Sequence, residues 1–126
     1  MRKSPSQIWL ITALCGALAS IALHSAGAAN PDHVATFKKT LRCPGCDLSQ
    51  ASLMGIQAPN AQLQNADLSH ADLYGGSLRN ADLSGAILNG TNLEMVDLTG
   101  AIGAVLEPAK TDSRTTCPDG TGGPCS

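Results

Sequence analysis

Aromatic residues are nearly absent from this 126-residue chain: Trp9, Phe37 and Tyr74 together make up 2% of it. Such side chains usually supply the bulk of a core, so any interior here has to be filled by Leu and Ala. Charge is sparse too, at 14%, and the formal net charge of −2 leaves no electrostatic footprint for nucleic acid. Neither a P-loop nor a dinucleotide fingerprint occurs. The length allows one small domain and excludes a large enzyme with its own cofactor domain. The longest apolar run, Ile8–Leu23, is 16 residues, short of the roughly 20 that a membrane span needs.

That run has a function of its own. Arg2 and Lys3 precede it, and Ser25-Ala26-Gly27-Ala28-Ala29 follows His24. This is the layout of a secretory signal, with cleavage expected between Ala28 and Ala29. Cys15 follows Leu14, where a lipoprotein signal carries a small residue, and reads as part of the discarded apolar run. Cleavage leaves residues 29–126, with six basic against ten acidic residues and four cysteines: Cys43, Cys46, Cys117 and Cys125. An even number of cysteines in a small exported chain reads first as disulfides.

A five-residue period governs the middle of the chain. Leucine recurs at Leu48, Leu53, Leu63, Leu68, Leu73, Leu78, Leu83, Leu88, Leu93 and Leu98, with Ala58 filling the one gap. Two residues before each stands a small or apolar residue, from Cys46 and Ala51 through to Thr91 and Val96. The position between is polar, as at Asp47, Asp67, Asp72, Asp82 and Asp97, with Ile87 as the exception. Gly or Asn dominates the fifth position. A period of five fits neither a helix nor a plain strand, but it fits a short extended step followed by a corner. Within a step, residues two apart face the same way, so the small residue and the Leu point inward and the polar residue points out. One step cannot bury its own apolar pair, so the steps must coil and stack.

"ADLSH", "ADLYG", "ADLSG" and "TNLEM" resemble the A(D/N)LXX unit of pentapeptide repeat proteins, over residues 46–100. The resemblance implies an all-β fold: a right-handed quadrilateral β-helix, one pentapeptide per side and four per coil. About three coils would span 46–65, 66–85 and 86–105, with the repeat stopping near Ile102. The expected organisation is a signal peptide over 1–28, a short capping α-helix over 30–42, the repeat β-helix over 43–105 and a C-terminal cap over 106–126.

The helix is expected from Asn30-Pro31-Asp32, a cap, a first-turn proline and an acid near the positive end of the dipole. Val34, Phe37 and Leu41 form one apolar stripe, and Lys38, Lys39 and Arg42 lie elsewhere on it. A lid over the first coil is expected rather than a basic membrane or partner helix, because Phe37 is the large aromatic placed to cover that end. Exported members of the family resemble this chain in running a CxxC, here Cys43-Pro44-Gly45-Cys46, directly into the first repeat. Four cysteines allow three pairings. Opposite ends of a stack lie too far apart for a disulfide, which needs Cα atoms within about 7 Å. Local pairing, Cys43–Cys46 and Cys117–Cys125, is therefore expected. A four-cysteine zinc site fails on the same separation.

Function is less legible. His33 and His70 have no nucleophile at a diagnostic spacing, and the Asp series follows from the polar column. The expectation is a non-enzymatic structural or protein-interaction module, exported to a periplasm, a thylakoid lumen or the medium. Its partner would be an envelope protein; no cofactor, metal, nucleic acid or small-molecule substrate is expected. Membrane contact would come through the signal segment alone. Two alternatives stay open. An acidic DNA mimic of the gyrase-protecting kind has six acids against Arg79 alone over residues 46–105 in its favour. A thiol–disulfide oxidoreductase would use Cys43 and Cys46, although its helix would then precede the motif rather than follow it. Residues 20 apart should share a face, which makes Met54, Tyr74 and Glu94, flanked by Ser52, Asp72 and Asn92, the candidate contact column.

Overall fold

The structure, a computed structural model, describes residues 28–126. The expected signal segment up to residue 27, Cys15 included, lies outside the described residues. Of the expected cleavage pair, Ala28 is exposed and Ala29 packs partly against the core.

Helix α1 spans Pro31–Thr40. Asn30 caps it, with its side-chain Oδ1 accepting the N–H of Asp32 at 2.9 Å. The expected extension to Arg42 does not occur. Leu41 turns into the left-handed region at φ 57°, its N–H still bonded to the Phe37 carbonyl, and this frees Arg42 to open the coiled ladder.

The rest of the chain winds as a square coil. Among the described residues its pairing consists of isolated parallel bridges, one per step, rather than continuous strands, with one antiparallel bridge from Thr116 to Gly122 at the end. Arg42, Gln62, Asp82 and Ile102 form the first side. Asp47, Asp67 and Ile87 form the second, and Ser52, Asp72, Asn92 and Lys110 the third. Gln57, Ser77, Asp97 and Thr116 form the fourth. In each complete rung the outward residue donates its N–H to the coil before and accepts from it, as Asp72 does with Ala51 and Leu53 at 2.9 and 2.8 Å. Ala58 sits fully buried in its Leu slot, and Ile87 pairs with Asp67 although its side chain is exposed.

The expected limits of the coil move at both ends. At the start, Leu41-Arg42-Cys43-Pro44-Gly45 is itself a step, with Cys43 buried in the Leu slot. At the finish the repeat sequence runs out near Ile102, but the winding continues to Lys110 and Thr116. That last turn is shortened. Leu73 N–H reaches Asn92, whereas Leu93 N–H reaches Lys110. Thr115 then takes the small inward slot and Cys117 the Leu slot, both buried.

The core is a stack of leucines. All ten of the periodic Leu residues are at most 1% exposed. Each step ends at a corner whose last residue has a positive φ, between 56° and 60° for Gln50, Asn60, Asn65, His70, Asn80 and Met95. That conformation suits Gly and Asn, which explains the composition of the fifth column.

Candidate functional site

The third side carries the candidate contact column. Met54, Tyr74 and Glu94 each follow a bridge residue by two, and the carbonyls of Tyr74 and Glu94 accept from Gly55 and Gly75 at 2.8 and 3.0 Å. Stacking therefore brings the three together. Their openness differs: Met54 is 61% exposed, while Tyr74 and Glu94 are half-buried. Flanking them, Asn92 donates its side-chain amide to Asp72 at 3.2 Å.

Two residues that the repeat did not single out complete this face. Arg114 stands within electrostatic reach of Tyr74 and Glu94, and its hold on its proton is strengthened chiefly by the hydrogen bond and charge of Asp112. Its Nε stands 3.0 Å from Asp112 Oδ2. Asp112 in turn repairs the shortened turn. Most corner N–H groups reach a backbone carbonyl in the next coil, as Asn65 reaches Ser84, but Met95 N–H finds Asp112 Oδ1 at 3.1 Å. The buried hydroxyl of Thr115 sits between the Leu93 carbonyl at 2.9 Å and Asp112 Oδ1 at 3.0 Å.

Burial opposes the charge on Asp112, yet these donors hold its pKa at about 2, against an ordinary 3.8. Asp82 and Asp119 shift the same way, chiefly through the hydroxyls of Ser84 and Thr121, and Asp97 through that of Thr99. A lowered folded-state pKa stabilises above the unfolded value and loses that contribution as pH falls through the folded one. Stability is therefore expected to fall as pH drops from 3.8 toward about 2. Far-UV circular dichroism against pH should show it. Asp112→Asn, which keeps an acceptor for Met95, should make the loss shallower in that window.

The remaining sequence-predicted residues are structural. Asp47, Asp67, Asp72, Asp82 and Asp97 each turn Oδ1 back to the N–H two residues on, at 2.9–3.1 Å. They spread along the coil instead of converging, and no group of acids, histidines and cysteines among the described residues could hold a metal ion. His33 Nδ1 accepts the N–H of Asp47 at 3.0 Å, while His70 stands at a corner. Cys43 is joined to Cys46 with Cα atoms 5.3 Å apart, and Cys117 to Cys125 at 5.6 Å. The first pair clasps the entry corner, from a Leu slot on one side to a small-residue slot on the next. The second closes the loop that folds back on Thr116, where Cys117 N–H bonds Thr121 and Gly123 N–H bonds Thr115.

Residues 66–102 match the family model for pentapeptide repeats, in eight copies. Among solved structures, the chain is similar to the pentapeptide repeat protein alr5209 from Nostoc Pcc 7120, at 27% identity over 72% of this chain and 87% of that one, with a TM-score of 0.49. It is also similar to HetL, a pentapeptide repeat protein involved in heterocyst differentiation regulation from the cyanobacterium Nostoc sp. strain PCC 7120. That likeness has 32% identity, covers 65% of this chain and 40% of that one, and has a TM-score of 0.42. No curated protein matches the sequence.

Proposed function

Since the chain carries eight pentapeptide repeats over residues 66–102 and belongs through them to the pentapeptide repeat proteins, we propose that it is an exported, non-enzymatic interaction module built on a right-handed β-helix. One observation carries the reading. The acids of the outward column spend an oxygen on their own turns, while the third side presents Met54, Tyr74, Glu94 and Arg114 together. A thioether, a phenol and a guanidinium on one side are the residue types that protein interfaces favour. An envelope protein is the partner class that export would supply.

Export is supported by the signal layout at residues 1–28 and by cysteines paired as an oxidising compartment allows. The exported form should begin at Ala29 or within a residue or two, read by N-terminal sequencing. Full-length protein in the membrane pellet would count against cleavage. The contact face has its own test. Changing Met54 and Tyr74 together to Ser should leave the melting temperature almost unmoved while abolishing capture of an envelope partner by the tagged, exported protein. Retained capture would remove this face from consideration.

A further inference from the structure

The two ends of the coil are capped on opposite halves. At the N-terminal end, Thr40 Oγ1 accepts the N–H of Arg42 at 3.2 Å and His33 Nδ1 that of Asp47, so α1 closes the first and second sides. On the third and fourth sides of that end, the N–H groups of Ser52 and Gln57 find no partner among the described residues, and both residues are exposed. At the C-terminal end the pattern reverses. The loop Cys117–Cys125 folds over the third and fourth sides, with Gly123 bonded to Thr115 and Cys125 N–H bonded to Thr111 Oγ1. The first side there ends open, at the Ala101 carbonyl and the Gly103 N–H. Each end is thus a step, raised on one half and recessed on the other. The recess at the C-terminal end is a cavity of about 320 Å³, walled by Ala104 and Leu106 on one side and Pro118, Thr121 and Pro124 on the other.

We infer that the chain associates head to tail with a second copy of itself, α1 of one copy seating on the recessed C-terminal half of the next. Translation along the coil axis, without rotation, places the raised half of each end over the recessed half of the other. Charge and polarity match across that junction. Lys38, Lys39 and Arg42 are exposed at the helical end. Ile102 and Val105 are 57% and 63% exposed at the other, beside exposed Glu107. The alkyl stems of the lysines would cover the two apolar side chains and their ammonium groups would reach the carboxylate. A head-to-tail contact without rotation does not close, so the product is a linear stack. This deepens the reading of the chain as an interaction module by naming one partner.

Sedimentation velocity at low salt, on the protein as the cell makes it, tests the inference. Association should rise with concentration and fall with added salt. Lys38→Glu with Lys39→Glu, and separately Ile102→Lys with Glu107→Lys, should each weaken self-association by about tenfold or more through like-charge contact. Mixing the two variants should restore it, which also shows that both are folded. Carbodiimide cross-linking of the unaltered protein should join Lys38 or Lys39 of one copy to Glu107 of another. A monomer at every concentration, association unaffected by the reversals, a mixture that stays apart, or cross-links confined to like ends would each overturn the proposal. A monomer that still captures an envelope protein through Met54 and Tyr74 overturns self-association alone and leaves the interaction module standing.

Discussion

Leu73→Ala is expected to lower stability by about 2–5 kcal/mol, while Asp72→Ala, one residue away, should cost less than about 1 kcal/mol. Leu73 is fully buried in the middle of the stack, between Leu53 and Leu93 on the same side. Removing its isobutyl group leaves a void that the coil is poorly able to close. Leu73 N–H is bonded to Asn92 and Asn92 N–H to Ala71, so moving inward would break rungs on both faces. Asp72 is half-buried, and truncating it removes a turn contact to the Tyr74 N–H and one to the Asn92 amide. Urea denaturation of both variants measures the contrast. Equal losses would mean that the inward and outward positions are misassigned.

Phe37→Ala should be the costliest change outside the leucine stack, at about 3–5 kcal/mol. Phe37 is fully buried, and among the described residues it is the aromatic that roofs the first coil. Without it, Leu48 and Leu53 face water, and they are the leucines with no coil before them. The helix would still be tied down, because Asp47 bonds both the imidazole of His33 and the N–H of Asn30, the latter at 3.2 Å. The variant should therefore fold with a weakened end rather than lose α1 outright. Lys38→Ala, on the exposed neighbour, serves as the control and should stay within about 0.5 kcal/mol of the parent protein. A loss of that same small size in Phe37→Ala would show that the helix is not a lid.

The middle of the chain was readable because five-residue spacing leaves little freedom: a small residue and a Leu two apart must face the same way, and Asp between them meets the N–H of the next turn. The ends were harder for physical reasons. Leu41–Gly45 is a full step, but Cys43 stands in the Leu slot and Leu41 also continues the helical stripe, so local pattern favoured a longer helix. Beyond Ile102 the shortened turn breaks the spacing on which the whole reading relied. Its signal survives only in fragments: Thr115-Thr116-Cys117 repeats the inward–outward–inward triplet, and Asp112-Ser113-Arg114 repeats the turn in which a carboxylate accepts an N–H two residues on. The role of Asp112 as a substitute carbonyl for Met95 had no periodic signature at all. Nor did the approach of Arg114 to Tyr74 and Glu94, which arises only once the last turn is drawn in.

The corners impose a grammar on how this sequence can drift. A Cβ added at Gly85 would collide with the Asn65 amide, one at Gly100 with that of Asn80, and one at Gly90 would come within 2.5 Å of the His70 ring. A side chain at one corner thus occupies the space that the residue directly beneath it would need. At these corners a larger residue needs the side chain a full coil earlier to move aside, an accommodation the chain already makes where Asn80 follows Asn60 and His70 follows Gln50. A substitution there is therefore coupled to the side-chain rotamer of the residue one coil earlier.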